Sequence, residues 1–286
     1  MAVYKRGYQR YSGPLTGRWT RFLVLPRYAW RRLYEQRLVL LLTILAFVWP
    51  LLCAGFVYLT NHAELLQGLD REFREFIQVD GRFFSIFMYV QAGFAVFLAA
   101  LAGPSLIAPD LANNALPLYF SRPLTRWSYA LARLTVLVGM LSIVTWVPGL
   151  ILFGLQVGLA GGSWFRANWT LGAGMVAGFM IWLLILSLVA MASSAYVKWR
   201  VVAAAVSLAF FFILAGVGEM IDNVLRVNWG HIIDPAWAVN RVWCTLLGVE
   251  PPLGPGAGVS ASALAVMVVL LVVVIERKLR PVEVVS

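Results

Sequence analysis

Long apolar runs alternate with short charged segments along the chain. Six runs lie at 38–60, 84–108, 129–155, 170–196, 201–218 and 257–275. Each is close to or above the roughly 20 helical residues that cross a hydrocarbon core of about 30 Å. A backbone in lipid can hydrogen-bond only to itself, and the runs lack the alternation of membrane barrel strands. The pattern therefore predicts an all-α polytopic membrane protein with six transmembrane helices.

The composition excludes an ordinary soluble domain. Of the 286 residues, 61% are hydrophobic and only 13% are charged, whereas charged residues make up about a quarter of soluble domains. Arg133 is the one charged residue inside a predicted span. It lies near the start of that span, so we expect its long side chain to reach back to the membrane interface.

The charges divide unevenly between the two sides of the predicted membrane. The segments 1–37, 109–128, 197–200 and 276–286, with Arg133, carry 17 Lys and Arg against 4 Asp and Glu. The opposite side carries 6 against 9, and the whole chain has a net charge of +10. Cytoplasmic segments of membrane proteins are enriched in Lys and Arg, so we expect both termini in the cytoplasm.

The N-terminal segment 1–37 mixes aromatic, aliphatic and basic residues from Trp19 onwards, with Pro26 at or near the first turn of a predicted helix. Such a segment is typical of an amphipathic helix that lies among lipid headgroups. It serves either as an orientation anchor or as a lever between a cytoplasmic partner and the first span. No nucleic-acid recognition motif accompanies the charge, so no nucleic-acid partner is expected.

Small residues and thiols add two expectations. Cys53 and Cys244 have a spacing that suits neither a metal site nor a disulfide framework, so they are predicted to be packed thiols. The pairs Gly154–Gly158 and Gly174–Gly178 have the spacing that allows close helix approach. Packing within the chain is the favoured interpretation, and a subunit interface is the alternative.

The loop 109–128 carries unusual chemistry for a connection between spans. Asp110 directly follows Pro109, a combination that favours the first turn of a helix, so a short cytoplasmic helix is predicted to begin there. Leucines and aromatic residues follow, and Ser121-Arg122-Pro123 ends the segment. An exposed apolar segment with a basic end is typical of a partner surface. The alternative is an interfacial loop packed on its own bundle.

The segment from Asp110 to Arg133 has a recognisable order: an acid, a leucine-rich turn, then Ser-Arg-Pro-Leu-Thr-Arg, an aromatic residue and a basic residue. It resembles the first cytoplasmic loop of type-2 ATP-binding-cassette (ABC) transporter permeases. In that family the loop is a coupling helix that sits in a groove of the ATPase subunit. Here Asn113-Asn114-Ala115 replaces an Arg-Gly-Thr-like segment, and Pro117 follows. With the six-span layout, the resemblance covers nearly the whole chain.

The resemblance implies a partner set and a site. The partners are two cytoplasmic ABC ATPase subunits that bind ATP and Mg, a second permease copy or paralogue, and the lipid of a bacterial or archaeal inner membrane. The implied ATPase-coupling residues are Asp110, Leu116, Leu118, Tyr119, Ser121, Arg122, Pro123 and Arg126.

Catalysis by this chain itself is not expected. No Gly-Lys pair occurs, so the phosphate-binding loop of an ATPase is missing from the sequence, and we expect no cofactor or metal on this chain. An intramembrane protease or lipid transferase is a remote alternative. His62 and His231 both lie in outer segments, and neither Gly-x-Ser-x-Gly nor His-Glu-x-x-His occurs.

The outer segment 219–256 offers a second candidate site. Glu219 and Asp222 lie about one helical turn apart at the end of the fifth span, and three tryptophans follow. The tryptophans favour anchoring at the interface. The alternative is an outer gate formed by Glu219 and Asp222, since the resemblance implies short outer helices at the exit.

The combined expectation is a permease subunit of an ATP-driven exporter with a largely apolar pathway. A non-transporting membrane subunit of the same architecture, which drives assembly or signalling, is the alternative.

Overall fold

The structure, a computed structural model, describes residues 20–62, 78–113 and 126–279. Regular structure in these ranges is helical throughout, so the predicted all-α class is confirmed. The helices are α1 (Thr20–Tyr34), α2 (Arg37–Ala46), α3 (Val48–Asn61), α4 (Gly81–Ala102), α5 (Pro104–Ala112), α6 (Arg126–Val144), α7 (Trp146–Ala160), α8 (Gly162–Tyr196), α9 (Arg200–Leu225), a 3-10 helix (Gly230–Ile233), α10 (Pro235–Leu247) and α11 (Ala257–Leu279).

Six helical stretches in the described ranges are long and apolar enough to cross a membrane, as the hydrophobic pattern predicts. We call them spans 1 to 6: Arg37–Asn61, Gly81–Asp110, Trp127–Ala160, Gly162–Tyr196, Arg200–Leu225 and Ala257–Lys278. Span 4 begins at Gly162 rather than at 170, and span 5 ends at Leu225 rather than at 218. Hydropathy marks only the part that fits a hydrocarbon layer, whereas backbone hydrogen bonding continues through the polar residues beyond it.

Spans 1, 2 and 3 are interrupted at Phe47, Gly103 and Thr145. Spans 3 and 4 are joined by Gly161 alone, whose φ of +86° glycine adopts without steric strain. The predicted outer turn between these spans is therefore almost wholly helical.

Span 4 forms the centre of the bundle. In its most apolar window 67% of the residues are buried, against 17% in spans 5 and 6. Its helix, α8, packs against α4, α5, α6, α7, α9, α10 and α11. Spans 2, 3, 5 and 6 therefore surround α8, and spans 5 and 6 lie at the periphery.

The two predictions about small side chains are largely confirmed. Cys53 and Cys244 are free thiols that are each 5% exposed. A Cβ on Gly178 would lie 2.6 Å from the Trp243 ring, and one on Gly174 would lie 2.8 Å from a carbonyl oxygen of α10. That pair therefore packs within the chain, whereas Gly154 and Gly158 have no such neighbour among the described residues.

Helix α1 is amphipathic and packs along α6. Ala29 and Leu33 are buried on one face, and the Trp30 indole N–H donates to the Val136 carbonyl at 2.9 Å. Arg31 and Arg32 are exposed. The helix begins at Thr20, so Pro26 lies in its interior and the expectation of a first-turn position is wrong. Proline removes one backbone hydrogen bond, and that loss does not end the helix here.

Gly103 determines how closely the end of span 2 approaches the central helix. A Cβ at this position would collide with the Ala190 side chain and lie 2.9 Å from the Ala99 carbonyl. We expect Gly103→Ala to lower the free energy of unfolding by about 1–3 kcal/mol. Gly93→Ala is the control on the same span, where a Cβ meets open space, and it should raise that free energy by about 0.5–1 kcal/mol. Denaturant unfolding in detergent measures both, and equal effects would contradict the packing role.

Candidate functional site

The candidate coupling residues lie mostly outside the described residues. Leu116, Leu118, Tyr119, Ser121, Arg122 and Pro123 belong to the undescribed stretch 114–125. The structure describes the two ends of this loop: Asp110 lies in the last turn of α5, and Arg126 is the first residue of α6. The described part of the candidate site is therefore the base of the loop.

Asp110 does not begin a helix, so that prediction is wrong. The helix begins at Pro104 and ends at Ala112, which places Asp110 near its C-terminal end. Gly103 interrupts span 2, and Pro104 then takes the first helical position. A backbone N–H there would have no acceptor within the helix, so proline loses no helical hydrogen bond at this position. The Asp110 carboxylate consequently has no helix N-terminus to cap and binds side chains of α6 instead.

Asp110, Tyr129 and Arg133 form a buried cluster that we call the Asp110 node. The Tyr129 hydroxyl donates to Asp110 Oδ2 at 2.7 Å, and Arg133 Nη2 donates to the same oxygen at 2.5 Å. The guanidinium carbon of Arg133 lies 5.1 Å from the centre of the Tyr129 ring. Tyr129 and Arg133 are four residues apart on α6, so both side chains lie on one face of that helix.

The node is an ion pair largely removed from solvent. Tyr129 is 0% and Arg133 8% exposed, and the Asp110 side chain is 14% exposed. The bundle therefore encloses the Arg133 side chain, and its reach to a membrane interface stays a prediction. The Asp110 carboxylate lies within reach and neutralises the cation in place. A buried ion pair adds little net stability, but removal of one partner leaves an uncompensated charge.

The node joins the end of span 2 to the start of span 3. Its three side chains bridge the two ends of the undescribed loop. Within α5, Leu106, Ile107 and Ala108 are at most 3% exposed, and α5 packs against α8 and α9. The node therefore fixes the described end of span 2 to the start of span 3.

The two candidate gate residues, Asp222 and Glu219, have different surroundings. Asp222 accepts from the Gly230 N–H at 2.5 Å and pairs with the His231 ring. A Cβ on Gly230 would lie 2.6 Å from the Gly218 carbonyl oxygen, so glycine is required for this close approach. Asp222 thus holds the 3-10 helix against the end of α9, whereas Glu219 is exposed. The sequence pattern did not predict that His231 is the partner of Asp222.

A lateral groove lies between α4, α8, α9 and α10 and has a volume of about 290 Å³. Aromatic rings form part of its wall: the Trp182 ring lies 5.5 Å from that of Phe211 and 6.3 Å from that of Trp243. Tyr89 is 69% and Phe212 70% exposed at its side. The groove is lined by Tyr89, Ala92, Gly93, Val96, Phe97, Trp182, Phe211, Phe212, Ala215, Asp234, Ala236, Val239, Asn240 and Trp243.

The groove lining includes the polar residues Asp234 and Asn240. Asp234 caps α10 by accepting from the Ala236 N–H at 2.9 Å, and it is 8% exposed. Burial raises the pKa of this carboxyl and outweighs the backbone donors that lower it. Tyr89 and Asn240 also line a second, more polar cleft of about 920 Å³ that includes Asp80, Arg82 and Glu250. The lateral groove and this charged cleft therefore adjoin each other.

The Asp110 node yields a prediction about stability. Arg133→Met leaves the buried carboxylate without its cation, so we expect it to lower the free energy of unfolding by about 3–5 kcal/mol. Asp110→Leu combined with Arg133→Met removes both charges and should lower it by less than the sum of the single changes. Denaturant unfolding of the four proteins in detergent measures this.

Arg166→Met, which removes an exposed cation, is the control and should change the free energy of unfolding by no more than about 0.5 kcal/mol. Strictly additive losses for Asp110→Leu and Arg133→Met would contradict a direct interaction in the node.

No protein-family model and no curated protein sequence matches this chain.

Proposed function

We propose that this chain is the membrane-spanning permease subunit of an ATP-driven ABC exporter. It crosses a cell membrane six times with both termini in the cytoplasm and pairs with a second permease copy. Two separate cytoplasmic ATPase subunits bind ATP and Mg. The observation that carries the proposal is the Asp110 node, because it gives the candidate coupling loop a base shared by two spans.

The exposed surface supports residence in lipid. Leu51, Val201 and Phe212 are 71%, 81% and 70% exposed on spans 1 and 5. Large apolar side chains at such exposure are unfavourable in water and suit contact with lipid tails or another apolar helix. The excess of Lys and Arg on the segments outside one end of the bundle supports the proposed orientation.

The loop 109–128 would couple the ATPase to the spans, because the Asp110 node joins its two ends. Leu116, Leu118 and Tyr119 supply an apolar docking surface, and Arg122 and Arg126 supply cations beside it. ATP-driven movement of the bound ATPase would displace the loop. The Asp110 node would then make the ends of spans 2 and 3 move together. A movement of the ATPase would in this way change how the helices pack.

The lateral groove is the proposed contribution of this chain to the pathway. It lies between spans 2, 4 and 5, and span 2 also carries Asp110 at its end. Its apolar aromatic wall and the adjoining cleft with Asp80, Arg82 and Glu250 suit a lipidic or amphipathic cargo. The contact between Asp222 and His231 holds the outer end of span 5, where a gate would act.

The orientation predicts opposite labelling at the two ends of the bundle. Arg166 and Lys198 are both exposed, and they lie at opposite ends of span 4. In intact cells a membrane-impermeant maleimide should label Arg166→Cys, whereas Lys198→Cys should react only after lysis. The wild-type protein is the control, because Cys53 and Cys244 are buried. The reverse pattern would contradict the proposed orientation.

ATPase coupling predicts that charge reversal in the loop releases the partner. We expect the wild-type chain, purified from its native membranes, to carry a stoichiometric ATP-hydrolysing polypeptide. Arg122→Glu with Arg126→Glu should lower the copurifying ATPase activity at least about tenfold, because both reversals oppose electrostatic complementarity at the dock.

The matched control reverses two exposed cations at the other end of the bundle, Arg82→Glu with Arg166→Glu, and should retain the partner. Wild-type stoichiometry and activity in the loop variant would overturn the docking site. A wild-type chain that purifies without an ATPase would overturn the proposed function.

A further inference from the structure

Two spans are interrupted just before a proline, and we call these interruptions the bends of spans 1 and 3. Span 1 is interrupted at Phe47 and has Pro50 in the first turn of α3, and span 3 is interrupted at Thr145 and has Pro148 in the first turn of α7. In a continuous helix, each residue donates its N–H to the carbonyl four residues earlier. Proline has no N–H. Pro50 therefore deprives the Ala46 carbonyl of its donor, and Pro148 deprives the Val144 carbonyl.

One side chain of span 2 supplies both missing donors. Gln91 is 0% exposed, and its Nε2 donates to the Ala46 carbonyl at 3.0 Å and also to the Val144 carbonyl. A primary amide carries two N–H groups, so it can serve two acceptors at once. The two acceptors are the same two carbonyls that Pro50 and Pro148 leave without helical donors.

The two carbonyls that accept from Gln91 are buried. Ala46 is 0% and Val144 1% exposed, so water does not serve the two carbonyls. A buried acceptor without a donor loses its full hydration without compensation. Close packing also holds α4 at the bend of span 3, because a Cβ on Gly149 would lie 2.9 Å from the Phe87 ring, one helical turn before Gln91.

We propose that Gln91 is a positioning residue that replaces the backbone donors removed by Pro50 and Pro148 and so ties the bends of spans 1 and 3 to one point on span 2. Neither bend can change its carbonyl geometry without breaking a hydrogen bond to Gln91 or moving span 2 with it. The proposal concerns the bundle itself and does not rest on the proposed transport function.

The test matches the number of side-chain donors to the number of carbonyls without a helical donor. Gln91 supplies two donors, Gln91→Glu supplies one when protonated, as burial favours, and Gln91→Met supplies none. Pro50→Ala and Pro148→Ala each restore one backbone N–H. The full set of combinations is purified in detergent, and Tm is measured for each protein.

We expect the loss in Tm to follow the number of unmatched carbonyls. With both prolines present, Gln91→Met should lower Tm by roughly 5 °C or more, and Gln91→Glu by less. With both prolines replaced, Gln91→Met should lower Tm by less than half as much. Hydrogen exchange gives the local readout: Gln91→Met should speed exchange at 47–51 and 145–149, and Pro148→Ala should restore only the second segment.

Gln156→Met is the matched control. Gln156 is also a buried glutamine, 5% exposed, but its Oε1 accepts from Asn61 at 2.7 Å, away from both bends. Its effect on Tm should be the same in every proline background. An equal loss for Gln91→Met in all proline backgrounds would overturn the proposal. If Gln91→Met does not fold with both prolines present, recovery on their replacement supports the proposal, and failure in every background overturns it.

Discussion

A polar group surrounded by apolar side chains must find its partner within the protein, because no water reaches it. Two features of the described bundle follow from this constraint. The guanidinium of Arg133 is met by Asp110, and the carbonyls beside the breaks of spans 1 and 3 are met by Gln91. Each of these partners joins two or more spans. These two buried polar contacts are therefore points at which the spans are tied together.

Span 2 carries two of these connections. Gln91 contacts spans 1 and 3 within the bundle, and Asp110 contacts span 3 at the end that bears the 114–125 loop. The lateral groove lies along the same span, with Gly93 and Val96 in its wall. In the proposed exporter, a displacement of the loop would therefore reach a helix that both borders the pathway and holds its neighbours. The connection is mechanical, since it consists of packed helices and a small number of buried hydrogen bonds.

The Asp110–Arg133 ion pair and the Asp222–His231 contact occupy different surroundings. Asp110 and Arg133 are nearly sealed from solvent, and breaking that pair leaves a charge that nothing else neutralises. Asp222 and His231 lie at the opposite end, where the His231 side chain is 31% exposed and water can share its hydrogen bonding. Breaking the first pair therefore costs more stability than breaking the second, because water can replace part of the second contact.

The amino-acid sequence by itself determined the all-α class and the six apolar helices, because hydrocarbon thickness and backbone hydrogen bonding leave few alternatives for such long apolar runs. It also contained a signal for the node, since Arg133 is a cation within a span and needs a partner. Only the tertiary structure decided which partner. Asp110 precedes Arg133 by 23 residues, and Gln91 is separated from its two carbonyls by 45 and 53. Such pairings depend on how helices rotate and pack, and local hydropathy carries no information about that rotation.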